Sequence, residues 1–328
     1  ISNAYATGAV GAADNRDPAV SHENLGGLIG WSVAGGSASN VYSSGAVAAS
    51  GFATNTAGGV VGRADPGAVV SNAFYNYETA GIERDQGGAS RRTTAQMQQQ
   101  GSFNGFDFGS TWRMYEGYTT PMLKAFLKPL QVNVSGNASG KVYDGQLAAF
   151  LGSIGYVGLL DGDTGVNGSL GYGNARNVGS YAATGLWSTK YDITLGGTTT
   201  FAITPRALTV GIGGNGKVYD GALGYDGASF VLGNLVTGDN ISVSGSAAFL
   251  DKNVGGSKAV HASGLALVGN ELGNYSLAAT TADGTAAITA RVLNYGVSGA
   301  QNRVYDGSLQ AALNGYFEGL VTGDQVGM

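Results

Sequence analysis

The groups in this chain best suited to chemistry are phenols and carboxylates in a recurring tetrapeptide. Val-Tyr-Asp-Gly stands at residues 142–145, 218–221 and 304–307, placing Tyr143, Tyr219 and Tyr305 each before an aspartate (Asp144, Asp220, Asp306) and a glycine (Gly145, Gly221, Gly307). Further aspartates follow at Asp161, Asp163, Asp239 and Asp324. Calcium takes six to eight oxygen ligands. One or two carboxylates per copy, with no Asp-x-Asp-x-Asp loop, favour a turn role over a calcium site. Asp-Gly is a turn signal, the glycine taking positive φ and the aspartate accepting from nearby backbone N–H groups. The tyrosine is then expected to fill a core with its hydroxyl on a polar partner, with sugar stacking as the functional alternative.

Other chemistries find less to work with. Lys141 and Lys217 precede the motif and suit an isopeptide crosslink, but the third copy has Arg303, which cannot form that bond. His22 and His261 are the only histidines, too few for a nucleophile–His–carboxylate set or a His-rich metal site. Two carboxylates serve a glycosidase; the nominal sets are Asp17 with Glu23, and Glu78 with Glu83 and Asp85, and no spacing singles them out. Asn-x-Ser sequons occur at Asn133, Asn137, Asn167, Asn240 and Asn274. No enzyme activity, cofactor or metal is expected.

Composition points to strands. Of 328 residues 58 are glycine, and 12% are charged, against a usual ~25%. Each interior glycine costs a helix about 1 kcal/mol relative to alanine. The 17 tyrosines, 11 phenylalanines and many Val and Thr suit sheets. With 43% hydrophobic residues, the chain lacks the low hydrophobicity of disorder. A net charge of −5 without a basic stripe argues against nucleic acid as a partner. No apolar run approaches the ~20 residues of a membrane span. Cysteine is absent, so disulfides and thiolate metal sites are excluded. The chain opens within one repeat and stops soon after the third motif, so a segment of a longer protein is expected.

The motif carries neighbours at constant offsets. The Gly-Asp aspartates lie 20, 20 and 19 residues beyond the motif tyrosines, and Asn-Val-Gly at 177–179 and 253–255 begins 34 residues beyond them. Ala-Ile-Thr closes two copies at 202–204 and 287–289, and the second copy has an insertion near Val268–Gly273. Each copy opens on an alternating strand: Leu130, Val132, Val134; Leu208, Val210, Ile212; Leu293, Tyr295, Val297. Later strands are expected at 180–184, 191–195, 241–249, 259–268 and 275–279. Almost no linker separates the copies at Ile203–Leu208.

Residues 1–82 carry a second repeat. Asn3-Ala4-Tyr5 recurs as Asn40-Val41-Tyr42 and Asn72-Ala73-Phe74, alternating with Gly-Gly-Leu-Ile-Gly at 26–30 and Gly-Gly-Val-Val-Gly at 58–62. A period of 32–37 residues of short strands and glycine turns predicts stacked coils of a right-handed parallel β-solenoid. Tyr5, Tyr42 and Phe74 would stack as aromatic rungs and Asn3, Asn40 and Asn72 as a ladder at a turn, with residues 12–23 and 48–57 as loops. Residues 91–100 are the one helix candidate, with Thr93 or Thr94 as N-cap and Gly101 as its end. The aromatic stretch from Phe103 through Phe106, Phe108, Trp112, Met114 and Tyr115 to Tyr118 is read as a cap over the solenoid end, with a carbohydrate platform as the alternative.

The first repeat resembles the GLUG-motif repeats of bacterial surface adhesins. The Val-Tyr-Asp-Gly copies resemble the YDG repeats, with their related MBG modules, of filamentous-haemagglutinin-like exoproteins exported by two-partner secretion. The first copy departs from that pattern at Leu159-Leu160-Asp161-Gly162-Asp163. The resemblance implies an all-β chain: solenoid coils over 1–82, an aromatic cap over 83–127, small β-grasp or sandwich-like modules over 128–205 and 206–290, and the start of a third over 291–328. It implies a secreted or cell-surface stalk supporting attachment, aggregation or biofilm, an outer-membrane two-partner secretion transporter as export partner, and surface glycans or exopolysaccharide as ligands. The rival readings are a carbohydrate-binding or polysaccharide-active solenoid module and a self-associating filament subunit.

Overall fold

Alternating apolar residues cut by glycine turns fold almost entirely into short strands. A computed structural model describes residues 1–11, 24–48, 57–299, 302–310 and 313–327. The chain is all-β with almost no helix, and its sheets are small and mixed. It forms two compact units interleaved in sequence. One comprises Ile1–Ala138, Ala149–Gly173 and Ala182–Thr199; the other comprises Ser139–Ala148, Asn174–Tyr181 and Thr200–Met328. The first Val-Tyr-Asp-Gly copy therefore contributes to both. Among the described residues no helix is long and apolar enough to cross a membrane.

In the first unit, Ser2–Ala6, Ser37–Ser43, Val69–Asn76 and Ser90–Arg92 form one parallel sheet, with Tyr5 opposite Tyr42 and Tyr42 opposite Phe74. Shorter parallel pairs join Leu25–Gly26 to Ala57–Gly58 and Ile29–Ser32 to Val61–Ala64. Among the described residues no closed parallel β-solenoid is seen; the sheets are small. The chain around Asp85 supplies the partners at the edge of these ladders: Gly59 N donates to the Arg84 carbonyl and Gln86 N to the Val61 carbonyl, each at 3.0 Å, while Asp85 Oδ2 receives the Val60 and Val61 N–H groups at 2.6 Å each and Oδ1 receives Gly87 and Ala89 at 2.9 and 3.0 Å. Gly59 is required beneath this edge, since a Cβ there would stand 2.2 Å from the Tyr75 ring.

The large sheet buries different residues on its two faces. Val41, Ala73 and Tyr75 join Leu25, Val60 and Val61 in one core. Tyr42 and Phe74 face the other way, into a second core with Met97, Phe103, Phe106, Trp112 and Met114. The aromatic stretch thus covers a sheet face rather than the end of a coil. The helix expected over 91–100 is absent. Ser90–Arg92 pairs as a strand, and two 3₁₀ turns follow at Gln96–Gln98 and Gln100–Ser102. Thr93 is not the N-cap of the first turn, which is Ala95, but it exchanges bonds with Gln96: its Oγ accepts from Gln96 N while Gln96 Oε1 accepts from Thr93 N. Arg91 and Arg92 are held by the sheet, leaving too few residues before Gly101 for a stable α-helix. The single described α-helix, Tyr77–Ala80, is capped by Asn76 and ended by Gly81 at φ +70°. The same unit contains Lys128–Ser135 between antiparallel Ser153–Val157 and parallel Tyr191–Gly197, and a hairpin of Asn167–Gly171 with Thr184–Trp187.

The second unit repeats this order. Arg206–Gly213 lies between antiparallel Ser229–Gly233 and parallel Tyr275–Leu277. A second sheet runs Lys217–Val218, Ala282–Thr289, Gly255–Val268, Ser242–Phe249. Their core joins Tyr225, Phe249, Val260 and Ile288, with Ile212 and Tyr219 packed against it. Only Pro205 separates the strands Thr200–Thr204 and Arg206–Gly213. The insertion lies between Val268 and Tyr275, where Asn270 accepts from Tyr275 N and donates to its carbonyl. A final hairpin pairs Asn294–Ser298 with Asn314–Glu318.

Candidate functional site

The Tyr-Asp-Gly turn is built identically three times. Asp144, Asp220 and Asp306 each accept from the backbone N–H two residues on, at 2.9 Å (Gln146, Ala222, Ser308). Gly145, Gly221 and Gly307 hold φ of +74°, +78° and +77°, where an L side chain is strained. The cation before the motif clamps the turn. Lys141 Nζ donates to Asp144 at 2.7 Å and Lys217 Nζ to Asp220 at 2.8 Å, both also reaching backbone carbonyls. Arg303 does the same with Asp306 at 2.9 Å. Lysine and arginine are therefore interchangeable here because the position needs a donor, not a nucleophile. Burial works against the Asp144 carboxylate, but Lys141 and the Gln146 N–H outweigh it and hold the group below its usual value. Lys217 and the Ala222 N–H depress Asp220 likewise.

The motif tyrosine does not point into its own copy's Gly-Asp turn. The Tyr143 hydroxyl donates to Asp239 Oδ2 at 2.9 Å, and the Tyr219 hydroxyl to Asp324 Oδ1 at 3.0 Å. In each case the acceptor is the Gly-Asp aspartate of the following copy. Asp239 also receives the hydroxyl of Tyr275 at 2.5 Å, and Tyr275 in turn accepts from Val236 N at 3.2 Å. The Tyr143 and Tyr275 rings meet edge-on, 5.3 Å between centroids. Burial, and then the Asp239 carboxylate, push both phenols up, Tyr275 to about 12.

Asn-Val-Gly and the glycine of the motif converge on the same place. Asn274, buried, donates to Asn177 Oδ1 at 3.0 Å and accepts from Val178 N at 2.9 Å. A Cβ on Gly145 would come within 3.1 Å of Val236, and one on Gly221 within 2.7 Å of Val321. Arg206 Nη1 reaches the Tyr143 carbonyl at 3.5 Å. All these residues lie in the second compact unit. The tyrosine of Tyr-Asp-Gly in one copy thus meets Gly-Asp of the next, and the Asn-Val-Gly of the first copy meets Asn274 of the second. Nothing in local spacing could have disclosed this, since 96 residues separate Tyr143 from Asp239. Tyr305 lies outside such a contact and is 92% exposed.

The remaining candidates are dispersed. Asp163 accepts from Tyr191 and Lys190, so the three Gly-Asp aspartates face O–H or ammonium donors rather than one another. Glu78 accepts from Thr94 N, Glu83 pairs with Arg91, and Asp85 serves four N–H groups as above. His261 pairs across strands with Asp283 at 2.7 Å. Asp17, His22 and Glu23, and the loops expected at 12–23 and 48–57 apart from Ala48 and Ala57, lie outside the described residues. Asn137 donates to Tyr172 and accepts from Leu151 N. Asn3, Asn40 and Asn72 hold φ of +49°, +54° and +47° within strands, a conformation asparagine tolerates. Their amides link in series at 3.3 and 2.9 Å.

The aromatic rows are covered. Tyr5 and Tyr42 stack at 5.2 Å, and Tyr42 and Phe74 each meet Phe103 edge-on. The Tyr42 hydroxyl donates to the Pro121 carbonyl at 2.5 Å, and burial raises its phenol strongly. A cleft of about 640 Å³ in the first unit is lined by Tyr115, Leu170, Leu186, Leu195 and Tyr118, the last stacked on Trp187.

No curated protein and no solved structure matches this chain. A family model, the YDG domain, does match, over residues 204–282, the copy whose Asp239 and Tyr275 receive Tyr143.

Proposed function

We propose that this chain is a structural and adhesive segment of a large secreted bacterial surface adhesin of the filamentous-haemagglutinin-like, two-partner secretion kind. It acts as a stiff stalk that supports attachment, aggregation or biofilm formation, without catalysis. The observation that supports this most directly is the use of the repeated residues. Tyr143, Asn177, Asp239 and Asn274 are engaged with one another between successive copies, so the motifs serve to join copies. A near-absent linker at Pro205 supports stiffness. The parallel registers at Tyr5, Tyr42 and Phe74 support the finer reading that residues 1–82 belong to GLUG-type coils at the end of a right-handed parallel solenoid. Export through an outer-membrane partner transporter and a cell-surface location belong to the same proposal.

Small-angle scattering tests the stalk. A compact globule of this length has a radius of gyration of about 20 Å; the stalk reading expects a value well above it, and a value near it would end the reading. The carbohydrate-binding alternative draws on the Tyr118–Trp187 stack beside the wide cleft. A glycan array probed with the whole chain decides it: specific retention, abolished by Tyr118→Ala, would favour sugar binding over a passive stalk.

A further inference from the structure

The first copy has the parts of the joint but uses them differently. Its Gly-Asp aspartate, Asp163, accepts from its own Tyr191 at 2.6 Å, as Asp239 accepts from Tyr275. Leu160 N donates to the Tyr191 hydroxyl as Val236 N does to Tyr275. The difference is the residue just before that tyrosine. In the second copy it is Asn274, which reaches back to Asn177 and Val178. In the first it is Lys190, whose ammonium contacts both oxygens of Asp163, at 2.9 and 3.2 Å. The oxygen that in Asp239 receives the phenol of Tyr143 is, in Asp163, shared with a lysine. The neighbour that this strand does receive is of another kind. The Tyr115 hydroxyl donates to the Tyr191 carbonyl at 2.5 Å and accepts from Ile193 N at 2.8 Å, and Arg113 pairs with Asp192.

We propose that this position is a gate that sets the order of units in the array. Asparagine, which leaves the carboxylate free, keeps the Gly-Asp turn of a copy open to the motif tyrosine of the YDG unit before it. Lysine closes that turn by occupying the carboxylate, so the copy accepts a non-YDG neighbour through its strand backbone instead. The ligand of an open site is the phenol of a Tyr-Asp-Gly turn, with the Asn-Val-Gly amides of the same unit as its second contact. The gate requires a single residue because both competitors seek the same acceptor. A carboxylate oxygen already shared between a tyrosine and an ammonium has little left to attract a second phenol, whose burial beside a positive charge brings no compensating bond.

The test is made in the full chain with tyrosine ring carbons labelled, the Tyr143 signal being assigned by Tyr143→Phe. Groups facing Tyr143 are Asp239, Tyr275, Asn274 and Arg176. Asn274→Lys is compared with Asn274→Met, which has similar length and no ammonium. The expected result is that the lysine variant releases Tyr143, whose hydroxyl then titrates as a free phenol, while the methionine variant leaves it raised. Val178 N–H should exchange faster in both. A triple variant, Val236→Leu with Thr237→Asp and Asn274→Lys, carries residues that sit together around Asp163 and so provides a folded form of the closed turn if Asn274→Lys alone does not fold. Tyr143 titrating identically in the methionine variant and in either folded lysine variant would overturn the gate. Release of Tyr143 in the methionine variant would overturn it as well, since loss of the asparagine contacts would then suffice.

Discussion

Removing one oxygen from Tyr143 should weaken the second compact unit by an amount the geometry sets. In Tyr143→Phe the ring stays against Tyr275, and only the 2.9 Å bond to Asp239 is lost. A hydrogen bond to a charged group contributes about 1.5–3 kcal/mol. Asp239 keeps the Tyr275 hydroxyl, so its charge is not orphaned, and the low end, about 1.5 kcal/mol, applies. With a urea dependence of about 2 kcal/mol per M, the midpoint should fall by roughly 0.7 M. The tryptophans make the assay selective. Trp31, Trp112 and Trp187 all belong to the first unit, so their fluorescence reports that unit alone, while far-ultraviolet circular dichroism follows the strands of both units and the second is read from the difference between the two signals. The expected result is a shifted second-unit transition with the tryptophan transition unmoved. Tyr305→Phe is the matched control, because that ring is exposed, and it should shift nothing. A double-mutant cycle of Tyr143→Phe with Asp239→Asn should show coupling of about 1 kcal/mol. If Tyr143→Phe and Tyr305→Phe behave alike, or the cycle is additive, the copies are not joined by this bond and the reasoning fails.

Three further outcomes follow from other parts of the structure. Alanine at the three motif glycines should rank by what the new Cβ meets: Gly307→Ala costs only the left-handed backbone, about 1–2 kcal/mol, Gly145→Ala more, and Gly221→Ala most, because Val321 stands 2.7 Å away; equal losses in urea titrations would contradict the close approach. Asp85→Asn leaves one acceptor oxygen for four N–H groups, so hydrogen exchange at two of them should rise and the tryptophan-reported transition should fall by about 2–4 kcal/mol. Tyr275 is raised to about 12 against an ordinary phenol near 10. The folded state therefore holds its proton longer than the unfolded one, and that stability is complete below pH ~10 and lost as pH rises through about 12. Tyr275→Phe should flatten this alkaline decline, and a variant that retains the wild-type slope would assign it elsewhere.

Much of the architecture can be read from residue order alone. Glycine content excludes long helices, and alternation at Leu130, Val132 and Val134 places those side chains in a core, where they are buried. Asp-Gly after tyrosine specifies a turn with positive φ, and the constant offsets reveal two copies and the beginning of a third. These are local properties: backbone sterics, turn chemistry and a period of two act within a few residues. The helix expected over 91–100 failed because strand pairing of Ser90–Arg92 is a distant interaction that local propensity does not contain.

Partnership required the tertiary structure. Tyr143 and Asp239 are far apart in sequence, as are Asp85 and the Val60 and Val61 amides it serves, and no spacing rule names such pairs. A hydroxyl buried by folding must find an acceptor, and which one is within reach depends on how strands bring separate turns together. The residue types were legible as a repeated set; that each set is divided between one copy and the next followed only from where the chain places them.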